Sequence, residues 1–551
     1  MPPFRVPGYD ARDVQLEQRP MGRRAGEHGW PVPQELVTLW ARLRATFAAV
    51  QARALAPAVR WLGAMCVLAL VIAGIYEAFR RCDCIARQYD DAYITFRYAH
   101  NFASGKGLVF NPGDRTDSAS SFLYTMLLAL ASRLGLQDLP PLAASFGVWC
   151  TGLTAAVVYL ACVERTRRPV LSGAIALLTG LHGLVAGWSV SGMETLLFTL
   201  LTSAAVYRLF VRQAFGWLEA GLVLACVLTR FEAALLAAIY VALAFVHLVR
   251  AEPARRRSVL LQLGALGVGT CAFLAFKYAQ YGTLIPHAFA LKTITRLYAP
   301  NASALWNVWR DYALVWLVLG AAGLFCLPRS IESVGFALFS VASAVSVCVG
   351  PFADWARYSA HLLPVSAMLA CVPLSRLLHK LPLVALGACA LMVLEANASF
   401  SRRRGEIETG AGHERCRKQI GRYMERTLPK RTPVLSSDIG VIAYAAPNAH
   451  FVDAVGLTSK DVLLAHMRGQ NTDAVLTKLR PQLVADTCSG SCTRVQDFAA
   501  YNWLHAQSYW RTDLPEERFS SRMQDGRVLQ RCESPDGLSF ALTRFSLTDA
   551  P

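Results

Sequence analysis

Residues 88–113 read QYDDAYITFRYAHNFASGKGLVFNPG and follow closely on an apolar segment that ends near Phe79. The stretch places two adjacent carboxylates, Asp90 and Asp91, before a run of aromatic, basic and glycine residues. Polar groups beside a bilayer are costly unless they have a partner or a function. The stretch therefore predicts a polar site at the membrane surface, directly after the first membrane-spanning segment.

The 551-residue chain is too apolar for an ordinary soluble protein, with 54% hydrophobic residues, 17% charged residues and a mean hydropathy of +0.34. A helix needs roughly 20 apolar residues to cross a bilayer. We therefore predict an α-helical polytopic membrane protein. Segments of about the required length recur at 59–79, 142–162, 170–190, 195–211, 214–229, 233–249, 258–277, 312–327, 334–350, 359–377 and 381–396, and a shorter apolar run at 119–134 is ambiguous.

The net charge of +17 does not indicate nucleic-acid binding, because the basic residues lie in short loops between apolar segments, where they report topology. Residues 1–58 are Arg-rich, and they are too long and polar to begin a cleaved signal peptide. Residues 59–79 are therefore predicted to be a retained anchor that follows a cytoplasmic tail. Apolar residues between Leu36 and Val50 share one helical face, which fits either an interfacial helix or a plain solvated tail.

The positions of the arginines predict which loops face outward. If 119–134 crossed the membrane, the basic loops at 164–169 and 250–258 would lie outside, against the positive-inside rule. With 119–134 laid along the outer surface, both loops stay inside, and the chain has eleven crossings. The polar clusters then share the outer face; they are the Asp90–Asp91 pair, SGMET (191–195), TRFEA (229–233), KYAQYGTLIPHAFALK (277–292) and PFADWARY (351–358).

Residues 401–551 are predicted to form a separate soluble α/β domain on the same outer face. Strands are expected at 432–438, 449–456 and 481–487, with a short helix between the first two. Two of these strands end in polar residues, Asp438 after VLSS and Asp453 after HFV, which are expected either to hold an acceptor or to cap the following turn. The four cysteines of this region permit disulfides, whereas a zinc site at Cys488 and Cys492 is the weaker interpretation.

An outer site of carboxylates, cations and aromatics at the lipid interface suits a substrate that is partly lipid and partly polar, such as a lipid-phosphate sugar. Transfer of its sugar needs a carboxylate to take a proton from the acceptor hydroxyl and cations to neutralise the departing phosphate. Asp90 or Asp91 would supply the carboxylate. The candidate cations are Lys292, Arg357, Arg230 and Lys106.

The run YDDAYITFRYAHNFASGKGLVFNPG, followed in order by SSFLYTMLLAL, SGMET, LTRFEA, YGTLIPHAFALK, DWARY and SSDIGVIAYAAPNAHFVDAVGLT, resembles the polyprenyl-phosphate-dependent GT-C glycosyltransferases related to mycobacterial terminal arabinofuranosyltransferases. The resemblance implies a GT-C-type bundle with juxtamembrane helices and an outer cap. It also implies inverting transfer of a sugar, with arabinofuranose as the best expectation, to a cell-envelope glycan, lipid or protein acceptor at the outer face of the cytoplasmic membrane.

By that resemblance Asp90 is the expected general base, and Asp91 supports it or binds a divalent cation. The chain has Pro286-His287 where relatives commonly have Pro-Asn, and Phe231-Glu232 where they often have Pro-Glu, which bears on sugar contacts more than on the reaction type. The residues expected to bind substrate are Arg97, Lys106, Glu194, Arg230, Glu232, His287, Lys292, Asp354 and Arg357.

Other interpretations of these residues remain open. The two aspartates could serve only as helix caps, and Lys292 and Arg357 could be interfacial anchors. A transporter or flippase of a lipid-linked sugar is the rival function. Transporters place binding residues near the membrane midplane on broken helices, whereas the segments here are nearly free of charge, Glu219 being an exception. A non-catalytic envelope scaffold would leave the aspartate pair without a function.

Overall fold

The computed structural model describes residues 57–80, 88–119, 121–250, 252–294, 306–307, 309–310, 313–349, 355–467, 476, 478–500 and 523–547. The predicted interfacial helix of the amino-terminal tail lies outside these residues. Residues Ala54–Pro551 form one compact unit. The protein is a helical bundle that carries a small sheet near its carboxyl end.

Helices form at each of the eleven apolar segments. In chain order the helices are α1 (Pro57–Arg80), α2 (Asp90–Ala103), α3 (Phe122–Arg133), α4 (Leu139–Thr166), α5 (Pro169–Gly180), α6 (Gly183–Ser189), α7 (Thr195–Val206), α8 (Trp217–Thr229), α9 (Ala234–Arg250), α10 (Pro253–Tyr281), α11 (His287–Ile294), α12 (Leu314–Leu324), α13 (Ile331–Val349), α14 (Trp355–Ser359), α15 (Leu362–Lys380), α16 (Pro382–Thr427), α17 (Val441–Ala445) and α18 (Lys460–Met467). A π-helical turn, Tyr207–Val211, extends α7.

Six of these helices are long and apolar enough to cross a membrane, and α5 with α6, bent by 56°, would make a seventh. The shorter apolar helices include α3, which forms at the ambiguous run 119–134. The structure therefore confirms a polytopic helical architecture. The count of eleven crossings stays a prediction.

Local sequence explains where several helices begin and end. Proline occupies the first turn of α4, α10 and α16, where its missing N–H costs nothing and its fixed φ suits a helix. Helix α10 ends at Gly282, whose φ of 71° lies in the left-handed region that glycine adopts without strain. This end brings the chain round to α11 at the same face of the bundle.

In the part of the chain that the structure describes, the sheet contains five strands in the order β2-β1-β3-β5-β4. The strands are β1 (Pro433–Ser436), β2 (His450–Asp453), β3 (Leu483–Cys488), β4 (Met523–Glu533) and β5 (Ser539–Leu547). Strand β1 pairs in parallel with β2 and β3, whereas β5 pairs antiparallel with β3 and β4. The first three strands and α17 match the predicted elements. The β4–β5 hairpin was not predicted.

Helix α16 runs without interruption through residue 401, where a domain boundary was predicted. Its polar half is supported by ion pairs one turn apart, Arg403 with Glu406 and Arg404 with Glu408. At 46 residues the helix is about 69 Å long, more than twice the roughly 30 Å of bilayer hydrocarbon. It therefore joins the bundle to the sheet as one rigid element.

Helix α2 packs directly against the carboxy-terminal region. Its Ile94 and Tyr98 share a buried cluster with Ile420 of α16 and with Val434 and Phe451 of the sheet. Its other face packs into the core of the bundle. This double burial places the amino end of α2, with its two aspartates, at the junction between bundle and sheet.

Candidate active site

An ion-pair network joins five of the sequence-predicted residues at the ends of separate helices. Arg357 Nη2 lies 2.8 Å from Glu194 Oε1, and Arg230 Nη1 lies 3.3 Å from the same oxygen. Arg230 also binds Glu232 at 2.8 Å. At the other side of the network, Arg357 Nη1 lies 3.8 Å from Asp91 Oδ2. The structure thus brings together four of the polar clusters that were predicted to share the outer face, although they are far apart in sequence.

Positive and negative side chains alternate in this network because most of them are buried. The Glu194 side chain is 2% exposed, and those of Arg230 and Arg357 are 6% and 10% exposed. Buried charges are stable only when they are paired, so each guanidinium needs its carboxylate. The Tyr358 ring adds a cation–π contact 4.4 Å from Arg230. The result is a fixed array of cations beside one accessible carboxylate.

That accessible carboxylate is Asp91, whose side chain is 63% exposed. Asp90 is 21% exposed and is held by the carboxy-terminal region. The amides of Gly440 and Val441 donate to its two carboxylate oxygens at 3.1 and 2.9 Å, and Arg417 Nε lies 3.7 Å away. Of the two aspartates, Asp91 is therefore the one that an incoming hydroxyl can approach.

Gly440 has to be glycine for this contact to form. A Cβ at this position would lie 2.0 Å from the backbone oxygen of Asp90. No side-chain rotation relieves such a clash, because the opposing atom belongs to the backbone. The glycine in the predicted turn SSDIG therefore positions the start of α2 against the carboxy-terminal region.

A second carboxylate cluster lies beyond Asp90 at the ends of the parallel strands. Arg417 Nη2 lies 2.8 Å from Asp438 Oδ1, and Thr487 Oγ1 donates to Asp438 at 2.5 Å. Asp486 is fully buried and accepts hydrogen bonds from the Ser437 amide and hydroxyl. Arg417 therefore links the cluster to Asp90.

The pKa values in this cluster diverge. Burial raises the pKa of Asp90 to about 6, although Arg417 opposes the shift. Burial also raises the pKa of Asp486 well above its usual range, with the neighbouring Asp438 adding to the effect. Burial acts in the same direction on Asp438, but Arg417 and the Thr487 hydroxyl hold its pKa below the usual range. Asp438 is therefore the carboxylate of this cluster that stays ionised most readily.

Asp453, the other strand-end aspartate, is fully buried and accepts hydrogen bonds from the amides of Val455 and Thr458 at 2.9 and 2.7 Å. It caps the turn after β2. The structure thus favours the structural one of its two expected roles.

An apolar cavity of about 220 Å³ lies between α3, α8 and α10. Phe122, Phe273 and Phe276 pack together in its wall. Its charged groups are Arg230, from the ion-pair network, and a buried pair in which Lys277 Nζ lies 2.8 Å from Asp117 Oδ2. The cavity therefore combines an apolar lining with two cations, one of which belongs to the network.

Three further predicted residues lie away from this network. Arg97 is buried and donates to the carbonyls of Phe110 and Ala449, so it fastens α2 to the carboxy-terminal region. Lys106 lies exposed in the turn after α2, about 20 Å along that helix from the aspartates. His287 is buried, and burial together with nearby lysines lowers its pKa to about 4.

Two predicted residues cannot be placed in the same way. Lys292 lies on α11, but its side chain is outside the described part of the structure, and Asp354 lies outside the described residues altogether. Within the residues that the structure describes, no group of three or more His, Cys, Asp or Glu side chains could hold a metal ion. A divalent cation at Asp91 stays a prediction.

Sequence reasoning placed Lys277 at the start of the polar cluster 277–292 but gave it no role, and it did not single out Asp117 or Arg417. Lys277 carried a usable signal, because it lies one turn before the carboxyl end of an apolar helix. Asp117 had none, since its partner is 160 positions away along the chain. Arg417 is one of many charged residues on α16, and only the fold selects it.

The described chain has a GT-C-like fold. The structure superposes on the oligosaccharyltransferase of Archaeoglobus fulgidus in its apo form with a TM-score of 0.55 at 12% identity, covering 88% of this chain and 74% of that chain. At such low identity the likeness concerns the fold alone. It confirms the fold expected from the ordered motifs.

Two weaker superpositions carry no separate argument. ArnT from Cupriavidus metallidurans bound to undecaprenyl phosphate gives a TM-score of 0.49 at 14% identity, covering 86% of this chain and 97% of that chain. The arabinofuranosyltransferase AftD from Mycobacteria gives 0.46 at 13% identity, covering 88% of this chain and 40% of that chain. Residues 405–528 match a domain of unknown function, DUF8728. A search of curated proteins found no match.

Proposed function

We propose that the protein is a membrane glycosyltransferase that moves a sugar from a polyprenyl-phosphate donor to a cell-envelope glycan, lipid or protein acceptor. The GT-C-like fold supports this class of reaction. Arabinofuranose is proposed as the sugar on the basis of the sequence resemblance. The reaction takes place at the outer face of the cytoplasmic membrane.

The observation that carries the proposal is the apolar cavity with its cations. Its phenylalanine wall suits a polyprenyl chain, and several residues at its edge, such as Phe231 and Leu284, are exposed. Lys277 would contact the phosphate through its ammonium group, which acts as a point charge. Arg230 would contact it through its planar guanidinium, which can donate two hydrogen bonds side by side. Arg230 and Arg357 share Glu194, so the phosphate would lie within reach of the residue that contacts Asp91.

The chemistry follows from this arrangement. The acceptor hydroxyl attacks the anomeric carbon of the donor sugar. The bond between that carbon and the phosphate oxygen breaks, and its electron pair stays on the phosphate oxygen. Asp91 takes the hydroxyl proton, which balances the charge gained by the new glycosidic oxygen. Lys277, Arg230 and Arg357 stabilise the developing charge on polyprenyl phosphate.

We assign the general base to Asp91 and a positioning role to Asp90. The sequence resemblance favours Asp90, but its carboxylate already accepts two amide hydrogen bonds and lies near Arg417. A carboxylate so engaged has few lone pairs left for a hydroxyl. Asp91 is exposed and lies beside Arg357.

The outer location is supported by two disulfides, Cys416–Cys532 and Cys488–Cys492. Disulfides persist in oxidising compartments, which lie outside the cytoplasm. The second disulfide also leaves these cysteines unavailable as zinc ligands. The sheet-bearing region would therefore face outward, where it could select the acceptor.

The test is to supply purified protein in lipid nanodiscs with radiolabelled polyprenyl-phosphate arabinose or polyprenyl-phosphate hexose and to measure release of the sugar. Loss of label from one donor, with polyprenyl phosphate as the second product, is expected. A protein that moves intact donor between leaflets without cleaving it would instead be a flippase. That result would overturn the proposal.

A further inference from the structure

A basic groove lies on the outer part of α16, away from the network that contains Asp91. The groove encloses about 550 Å³ and is lined by Arg415, Lys418, Arg422 and Arg426, with Gln530 of β4 on the opposite side. These basic residues recur every three or four positions, so they form one stripe along the helix. The opposite face of the helix is buried in the core through Ile420 and Met424.

The stripe is electrostatically unfavourable for the helix itself. Like charges three or four residues apart destabilise a helix by about 0.2–0.5 kcal/mol per pair. Lys418 has a partner, since its Nζ lies 2.6 Å from Glu414 Oε1. Among the described residues, the ion pairs along this stretch of α16 involve Arg417 and Lys418, and none involves Arg415, Arg422 or Arg426. A helix whose only task was structural would gain by replacing them, which indicates that these charges meet an anion.

The two walls of the groove are held together covalently. Cys416 on α16 forms a disulfide with Cys532 on β4, two residues from Gln530. The stripe and the strand therefore keep their separation without a ligand, and binding there would cost little ordering entropy.

One hydrogen bond connects the lining of the groove to α2, the helix that begins with the two aspartates. Glu414 accepts a hydrogen bond from the Tyr93 hydroxyl, and Tyr93 lies one helical turn after Asp90 in α2. A ligand that follows the stripe toward Glu414 thus approaches the amino end of α2.

We propose that the groove binds the acceptor and that the acceptor is an acidic saccharide chain carrying carboxylate or phosphate groups. Calling the bound saccharide an acceptor rests on the proposed glycosyl transfer. The binding of an acidic saccharide to the groove does not depend on that proposal. A surface of anionic lipid fits less well. From Arg402, the first charged residue after the apolar part of α16, the stripe begins about 20 Å further along the helix. That distance exceeds the headgroup layer of roughly 5–8 Å plus a screening length of about 8 Å.

The test measures binding of a fluorescent oligogalacturonate to full-length protein in nanodiscs of neutral lipid. Binding should weaken with added salt and fall about tenfold in the Arg422→Glu/Arg426→Glu variant, because two attractions become repulsions. The matched control is Lys430→Glu/Arg527→Glu, which makes the same charge change at exposed residues outside the groove lining and should leave binding unchanged. A neutral maltooligosaccharide of equal length should not compete.

Three results would overturn the inference. They are equal loss of affinity in the control variant, equal binding of the neutral oligosaccharide, and stripe-dependent binding to vesicles of anionic phospholipid in place of the oligosaccharide. Donor cleavage by the unmodified protein is measured in parallel. Cleavage without oligogalacturonate binding contradicts the groove assignment alone, whereas stripe-dependent binding without cleavage contradicts the glycosyltransferase proposal and leaves the groove assignment standing.

Discussion

The Glu194→Gln variant tests whether the Glu194 carboxylate stabilises the fold by neutralising the buried arginines of the candidate site. The carboxylate is 2% exposed and neutralises two buried guanidiniums, those of Arg357 and Arg230. Removing one partner of a buried ion pair typically costs about 3–5 kcal/mol. Because Arg230 keeps Glu232 and Arg357 keeps Asp91 nearby, we expect the lower end, about 3 kcal/mol. The extra positive charge should leave donor binding intact or tighter, while misplaced guanidiniums lower turnover.

The assay combines thermal unfolding in detergent with steady-state kinetics of donor cleavage. The expected result is a fall in Tm of several degrees and a lower kcat without a rise in KM. Glu232→Gln serves as the control, since Glu232 is 22% exposed and binds only Arg230 in the network, so its loss of stability should be smaller. If Glu194→Gln and Glu232→Gln were equally stable and equally active, the argument from buried charge would be refuted.

Four other outcomes are expected. Lys277→Ala should raise KM for the donor while Lys106→Ala does not, and equal effects would contradict the cavity assignment. Gly440→Ala should expose the α2 interface to limited proteolysis, because its Cβ would strike the Asp90 backbone, and an unchanged digest would contradict this. Because burial raises the pKa of Asp90 to about 6, its contribution to stability is present below its unfolded pKa of about 3.9 and is lost as pH rises through about 6. The Asp90→Asn variant should therefore flatten the dependence of Tm on pH between these values, and an unchanged slope would contradict the shift. An introduced cysteine at Ser120 or Ser437, but not at Ser258, should react with a membrane-impermeant reagent in intact cells, and outside labelling at 258 would show that the 119–134 segment crosses.

Sequence alone predicted the bundle because an apolar segment long enough to cross a bilayer is expected to form a helix. It predicted β1, β2 and β3 because each is a short apolar run between turn residues. It missed the β4–β5 hairpin, whose first strand is mostly polar at its surface positions. The boundary at 401 was placed where the composition changes, but ion pairs such as Arg404–Glu408 allow the helix to continue through it.

The five residues of the ion-pair network were all named from the sequence, whereas Asp117 and Arg417 were not, and the role of each residue stays a prediction. Glu194, Arg230 and Arg357 were singled out by their positions at the ends of apolar segments, and the fold joins them. Asp90 and Asp91 are neighbours in sequence, yet successive positions on a helix point about 100° apart, so one meets Gly440 and the other meets Arg357. That division depends on contacts between residues some 350 positions apart, and no local pattern reports it.

The most direct test of the central claim is single-turnover transfer from the labelled lipid donor by unmodified protein, Asp91→Asn and Asp90→Asn, each shown to bind donor. If Asp91 is the general base, Asp91→Asn should lose about 10²- to 10⁴-fold in rate. Asp90→Asn should lose less, and its contact with Gly440 should loosen. Full turnover by Asp91→Asn would contradict the assignment of the base to Asp91, and if Asp90→Asn alone were inactive, Asp90 would be the base.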